Sequence, residues 1–562
     1  MSENKNRGEE TVDFLTRIIK EDIEKGVYNR PVATRFPPEP NGYLHIGSAY
    51  AICVNHSIAR RFQGTFNLRF DDTNPLKEDM KYVQAIQEDI EWLGLKTDVY
   101  FGSDYAHQII EAAKKLIAKG KAYVCDLTPE QMTEYRGTLI EAGKNSPYRE
   151  RSIEENMSLF EQMIAGVFQT SEKVLRAKID MASPNMNLRD PVLYRIIHAE
   201  HYRTGTAWCV YPMYDFAHPI QDWIEGITHS LCSSEFRDHR PLYEWVLTEL
   251  EVTEPPKQRE FGRLNISGSV TSKRYVRELV EGGFVDGWDD PRLPTLRGLR
   301  RRGVKPEGIR RFLAELGVFR SNSMVDPAML DHYIREDLKE CCQNAMAVIK
   351  PLKVILTNMP EDWTEQLVIP NNEHNPSMGQ REVPFSRELY IEREDFMEEP
   401  VPGFHRLSPG KEVRLKGAYF IKCEHVVKNS STGEITEIHC TYDPATKSGS
   451  GFNERKVKAT LHWVSAKHGI PAELHLYDQL LKESAELSES DNVWKELLNP
   501  ASLIRVENAM LEPSMLEATL NQTYQFIRHG YFCLDSKYST DSKLVFNRIV
   551  SLKDSWKRSM ES

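Results

Sequence analysis

Hydrophobic and polar positions follow two different rhythms along this chain. In the first half, short apolar runs alternate with stretches of helical spacing. Pro31 to Phe36 reads as a short strand, and Pro37 to Asn41 as a proline-rich turn. From His45 the run HIGSAYAICVNHSIARRF puts Ala51, Ile52, Ile58 and Ala59 at helical intervals. Asn67 to Phe70 returns to a strand that ends on Asp71 and Asp72. Thr73-Asn74-Pro75 predicts a helix start, Tyr82, Ile86, Ile90 and Leu93 its apolar face, and Gly94 its stop. Strand, helix, strand, helix predicts a parallel sheet covered by helices.

The segment from about Phe101 to His201 breaks this order. One strong helix carries Ile109, Ala113, Leu116 and Ile117 and stops at Gly120; the strand-like AYVC and a long charged stretch follow. This reads as an insertion between two halves of the sheet domain. A sheet-like pattern returns around Trp208 to Phe216, and from about Asp289 the chain is helical and basic. In the last third the period becomes two. Apolar residues alternate with polar ones in Lys456–Trp463 and at Ile438, Cys440 and Tyr442. Val413, Leu415, Tyr419 and Ile421 align with them across a turn at Asn429 to Gly433, predicting antiparallel β-barrels.

Length and composition narrow the picture. With 562 residues the chain has room for about four domains. Its 40% hydrophobic and 28% charged content excludes disorder, collagen and coiled coil. The net charge of −11 excludes coating of nucleic acid by bulk positive charge, though not a local basic groove. The polar start, MSENKNRGEE, has no signal-peptide core, and no segment approaches a membrane span. Nine cysteines without a C-x-x-C pair, two of them adjacent at Cys341 and Cys342, suit neither a disulfide framework nor a zinc knuckle. A reduced, cytoplasmic enzyme is expected.

Two segments suit phosphate chemistry. Leu44-His45-Ile46-Gly47-Ser48 opens the first long helix, where unpaired amides and the dipole favour an anion, and Gly47 permits close approach. Val270-Thr271-Ser272-Lys273-Arg274 follows a flexible run, and a lysine there can clamp charge on transferring phosphates. Taken singly, the first is a weak signal that also fits a surface histidine at a helix start, and the second reads more readily as a solvated basic loop.

Together, and with TRFPPEPNGYLHIG, NLRFDDTNP, GKNSPYR, LRAKIDMASP, YPMYDF, EGITHSLC, GLRRRG, HWVSA and GYFCLD, these segments resemble the glutaminyl-tRNA synthetases over almost the whole chain. The two segments stand at that family's HIGH and KMSKS motifs. The resemblance implies an α/β plus β fold. A Rossmann-like catalytic domain spans 28–100 and 208–266, split by an acceptor-stem-binding insertion at 101–207. A KMSKS loop and helical connector spans 267–343. A proximal anticodon-binding barrel is formed by 344–400 and 479–550, and a distal barrel by 401–478. It further implies ATP-dependent ligation of L-glutamine to tRNA(Gln) through an adenylate, with transfer to the 2′-hydroxyl of the terminal adenosine. ATP enters as substrate with Mg²⁺; no tightly bound cofactor, structural zinc or membrane is implied, and a monomer is.

The residues implied are specific. His45, Ser48 and Lys273 take the catalytic positions. Glu39, Pro40, Asn41, His45 to Ala51 (with Ile46, Gly47, Ala49 and Tyr50), Ser233, Arg263, Leu264, Thr271, Ser272 and Lys273 fall at ATP positions. Asp71, Tyr214, Arg35 and Cys232 fall at glutamine positions: Asp71 suits the ammonium group, and the uncharged Cys232 favours an amide over a carboxylate. Leu139, Asp238, Arg406 and Gln525 fall at tRNA positions. Arg292 to Arg320 carries nine Lys/Arg against two Glu, as a phosphate-contacting patch would. The chain departs from the family at Ser48, where a second histidine is usual, at Thr271 for methionine, at Asn344 for arginine, and at Gly403 for an expected glutamine. An alternative is a divergent synthetase paralogue with an altered tRNA or a non-tRNA acceptor.

Overall fold

The computed structural model describes residues 13–482 and 494–553; the polar start and part of the proximal barrel expected at 479–550 lie outside them. The chain divides into two compact units. One comprises the chain up to Asn265 with Leu313–Val325, the other Ile266–Phe312 with Asp326 onward.

In the first unit, strands Ala33–Phe36, Thr65–Phe70 and Asp98–Phe101 lie side by side and parallel. His229–Ser233 and Lys257–Phe261 form a second parallel pair. The Thr228 amide donates to the Ala33 carbonyl at 3.0 Å, which sets that pair beside the first strand. Helix Ile46–Arg61 makes the first crossover. It is followed at once by Gly64, where a Cβ would lie 1.8 Å from the Val32 carbonyl oxygen. The next helix begins at Met80 rather than near Pro75. The Asp79 carboxylate caps it by accepting from the Lys81 amide, while Glu78 accepts from the Asn74 amide and closes a turn upstream. Local side-chain acceptors thus outweigh the proline signal.

The polar stretch after Gly120 is more regular than its composition suggests. Ala122–Cys125, Val174–Ala177, Val192–Ile196 and Val210–Pro212 build a four-stranded antiparallel sheet. The pattern around Trp208 to Phe216 therefore resolves into the edge strand of this sheet and the start of helix Tyr214–Ile224. Helices Ala106–Ala118 and Ile153–Ile164 pack on it through Ile109, Leu116, Phe160 and Met163.

In the second unit, helices Lys273–Glu281, Leu296–Arg302 and Pro327–Lys339 precede two curled seven-stranded sheets. These sheets are mixed rather than antiparallel: Lys353–Leu356 runs parallel to Glu437–Cys440, and Glu473–His475 parallel to Val545–Asn547. Sheet membership also differs from the division expected at residue 400. Strands Pro351–Leu356 and Glu388–Glu392 share ladders with Ile435–Asp443 and Val464–Ser465, so hydrogen bonds run across that point. The second sheet takes Gln343–Ala345 and Ala347–Val348 from before this block and Ile470–Tyr477 onward from after it. The alternation at Lys456–Ala459 yields no strand; only Thr460–Leu461 pairs. The basic stretch is partly consumed internally. Arg301 bonds Asp535 and Asp286, Arg292 bonds Asp290, and Arg302 bonds Asp331, leaving Arg300 and Arg311 exposed in this unit.

Gly64→Ala forces a methyl group onto a carbonyl oxygen. Calorimetry is expected to show the first unfolding transition about 5 °C lower, and an unchanged transition would refute the close approach.

Candidate functional site

The carboxyl ends of the parallel strands gather the predicted residues of the first unit. Phe36 leads into the turn bearing Glu39, Pro40 and Asn41; Phe70 leads into Asp71 and Asp72; Ser233 ends its strand; Phe261 leads to Arg263 and Leu264. In open parallel sheets this edge is where ligands bind. His45 caps the helix that starts here. Its Nδ1 accepts from the Gly47 amide at 3.1 Å, and its own amide donates to Ser48 Oγ at 3.4 Å. A Cβ at Gly47 would meet the His45 ring and the Leu264 carbonyl, so glycine is required for this packing. The side chains of Ile46, Ala49 and Tyr50 are buried. Tyr50 accepts from the Phe319 amide and packs on Phe261. Ala51 is half-buried. Ser233 donates to Glu235, which also pairs with the exposed Arg263.

Beneath this edge lies a buried charge network that the sequence did not suggest. Asp222, on helix Tyr214–Ile224, accepts from Arg35 Nε at 3.0 Å, Arg69 Nη2 at 2.8 Å and the Tyr243 hydroxyl at 2.9 Å. Arg35 donates further to the Leu231 carbonyl and Ser230 Oγ, and Arg69 pairs also with Glu225. The two guanidinium groups hold the Asp222 carboxyl far below the usual range despite its burial. Burial, with both guanidinium groups, keeps His218 neutral. Guanidinium nitrogens face both of its ring nitrogens, Arg69 at Nδ1 and Arg35 at Nε2, with Asp222 beside the latter. Arg35 has no accessible surface and lies beneath the sheet edge.

Above the network the surface is acidic and aromatic. Tyr214 is half-buried, stacked on His218 at 4.8 Å and against Phe236 at 5.3 Å. Burial and the neighbouring carboxylates of Glu78, Asp72 and Glu39 push Asp71 up to about 7, against the pull of Arg69. Burial raises the Cys232 thiol to about 12, so the side chain is neutral.

The remaining residues are more dispersed. Leu139 and Ile140 stand 81% and 95% exposed on a loop whose carbonyls at Arg136, Thr138 and Glu141 all accept from Arg189 Nη1. Asp238 is exposed, its carbonyl pinned by Asn185 and Asn187. In the second unit, Thr271 and the exposed Ser272 and Lys273 open helix Lys273–Glu281. Arg406 donates to the Glu394 carbonyl at 2.8 Å and shares Asp395 with Arg528. Gln525 pairs in register with the buried Asn344. Gly403 has φ +88°, a backbone that disfavours the glutamine expected there. Among the described residues, Glu392, His462 and His529 approach one another as metal ligands would. His529 Nε2 bonds Glu392 at 2.8 Å, His462 Nε2 lies 3.4 Å from the same oxygen, and Arg528 approaches His462 Nδ1 at 3.5 Å. All nine cysteines are free. Among the described residues no helix is long and apolar enough to cross a membrane.

A parallel α/β sheet with its site at the carboxyl edge, followed by curled β-sheets, defines a two-part α/β plus β protein. Residues 31–340 match the family described as tRNA synthetases class I (E and Q), catalytic domain. Residues 342–443 and 460–535 match its anti-codon binding domain. The Glutamine--tRNA ligase of Clostridium perfringens is 56% identical over 98% of this chain and all of its own. That of Clostridioides difficile is 55% identical over 97% and 98% of the two chains, and that of Pseudomonas putida 52% over 97% and 96%. The chain belongs to the class I tRNA synthetases of the E and Q group.

Asp222→Asn removes the charge shared by two buried arginines, at an expected cost of about 3–5 kcal/mol, whereas Ser230→Ala costs about 1 kcal/mol. Comparable thermal shifts for the two would refute the hierarchy.

Proposed function

We propose that the protein attaches L-glutamine to tRNA(Gln) with ATP, supplied with Mg²⁺, as the energy source. The reading is carried by one observation: in a chain of this family, an anion-favouring helix start, a carboxylate and a neutral thiol meet at one sheet edge. A cytoplasmic monomer is consistent with it. In the first step the glutamine carboxylate, ionised at neutral pH, attacks the α-phosphorus and pyrophosphate leaves. No general base is needed; the protein positions the reactants and steadies phosphate charge.

Each residue follows from its chemistry. With Nδ1 of His45 engaged as an acceptor, the ring proton sits on Nε2 and is donated to a phosphate oxygen. Ser48 accepts from the His45 amide and keeps its hydroxyl proton for a second oxygen. The exposed Lys273 ammonium offsets charge on the leaving pyrophosphate. Glu39, Pro40, Asn41, Gly47, Ser233, Arg263, Leu264, Thr271 and Ser272 border the nucleotide. Asp71 holds the ammonium and Tyr214 the aliphatic part of the amino acid. Cys232 leaves the side-chain amide without a positive partner, which disfavours glutamate. In the second step the 2′-hydroxyl of the terminal adenosine attacks the adenylate carbonyl and AMP leaves.

Leu139 parts the end of the acceptor stem, and Asp238 reads its minor groove. Arg406 and Gln525 serve the anticodon. A groove of about 520 Å³ supports this assignment, being lined by Arg406, Lys411, Lys422, Lys456 and Lys458 against one carboxylate, Glu412.

Charging of purified tRNA(Gln) with labelled glutamine is expected, with little charging by glutamate; the reverse preference would overturn the reading. Lys273→Ala should slow glutamine-dependent pyrophosphate exchange by about a hundred-fold, with the KM for glutamine little changed. With Asp71 near 7, protonation below that pH removes the ammonium's partner. kcat/KM for glutamine should therefore fall about ten-fold per pH unit below 7, and Asp71→Asn should be lower and flat.

A further inference from the structure

We infer that the loop His201–Gly205 is a clamp on Asp72 that holds Asp71 in place, making His201, Tyr202 and Arg203 positioning residues for the amino-acid site. The inference rests on the proposed role of Asp71 in binding the amino acid's ammonium group.

Asp72 is buried, and its carboxylate is held from two sides. Oδ1 accepts from the Ser103 amide at 2.6 Å; Oδ2 accepts from Ser103 Oγ at 2.7 Å and from the Tyr202 hydroxyl at 3.0 Å. Arg203 completes this arm. Its Nη1 donates to Ser103 Oγ at 2.6 Å, its Nη2 pairs with Asp104 at 3.0 Å, and its guanidinium lies 3.8 Å from the centre of the Phe101 ring. The main chain of Asp72 is held by the same loop. His201 Nε2 donates to the Asp72 carbonyl at 3.0 Å. The Arg203 and Thr204 amides, each 3.2 Å from His201 Nδ1, fix the tautomer that makes this donation possible. Two hydrogen bonds between His201 and Gly205, at 2.9 and 2.8 Å, close the loop, with Gly205 at φ +59°.

Asp71 is caught between two anchors. Upstream, its amide donates to the Pro38 carbonyl at 3.0 Å. Downstream, the clamped Asp72 carbonyl sets the direction of Thr73, whose hydroxyl donates to Asp71 Oδ1 at 3.2 Å. A cavity of about 30 Å³ adjoins the clamp, bordered by Asp72, His201 and Thr204 and by the apolar Ile109, Trp208 and Val210, so Asp72 has room to move if its hydrogen bonds are lost. Tyr202 and its neighbours touch no substrate; they act through Asp72.

The test is Tyr202→Phe in the full-length enzyme with tRNA present. The KM for glutamine is expected to rise about ten-fold, as loss of a hydrogen bond to a buried carboxylate allows. kcat and the KM for ATP should stay within about two-fold, as expected for lost ground-state binding of one substrate. A KM for glutamine within about two-fold of the wild type, or equal rises for glutamine and ATP, would overturn the inference. A crystal structure of the variant supplies a readout independent of activity. The Asp71 carboxylate should be displaced or split between two rotamers, and a carboxylate superposable on the wild type overturns the clamp. If the wild-type enzyme shows no glutamine-dependent exchange while the variant crystal shows Asp71 displaced, the proposed function fails and the clamp stands.

Discussion

The interaction on which the catalytic unit depends is the sharing of one buried carboxylate, Asp222, between Arg35 and Arg69. Stripping three such groups of water is expensive, and their mutual attraction offsets that cost only when each remaining donor is also satisfied. Here Leu231, Ser230, Glu225 and Tyr243 supply most of the missing partners. The result joins strand Ala33–Phe36, strand Thr65–Phe70 and helix Tyr214–Ile224 at the level where the strands end. Removal of the central charge would leave two cations facing each other. The site above is consequently no more rigid than this pairing.

Two neighbouring acids then divide the labour. Asp71 is half-buried among other carboxylates, which with burial push it up to about 7, a poise suited to a ligand that brings its own positive charge. Asp72 is enclosed by donors and fixes the chain. His45 shows a similar economy: one nitrogen terminates a helix, which determines where the other nitrogen's proton points.

Much of this was legible before the structure. The strand–helix alternation around His45 and the acids after Phe70 are local features, and the apolar runs that report them are not interrupted. Helix Met80–Trp92 began later than Pro75 suggested because Asp79 and Glu78 both accept backbone protons, a choice between caps that spacing alone does not settle. The Asp222 network was not legible. Arg35, Arg69 and Asp222 look singly like surface charges, and they meet only when distant strands and a helix pack. In the second unit the antiparallel pairing across the Asn429–Gly433 turn was legible, whereas the parallel neighbours were not: period-two patterning identifies a strand and its faces but not a partner distant in sequence. Pairings such as Val354 with Ile438 join residues far apart in sequence.

The interleaving of the two curled sheets has a consequence for the chain's modularity. Every strand of one sheet lies within Pro351–Ser465, whereas the other is assembled from Gln343–Val348 and Ile470 onward. In that second sheet Val348 and Pro471 both pair with Met510, from opposite sides. Two strand spacings separate them, about 10 Å, a gap that about three extended residues bridge. The intervening block is thus a guest housed in a host fold. A short linker can take its place; ties that such an excision would sever include the Glu392–His529, Arg381–Glu512 and Asp395–Arg528 pairs.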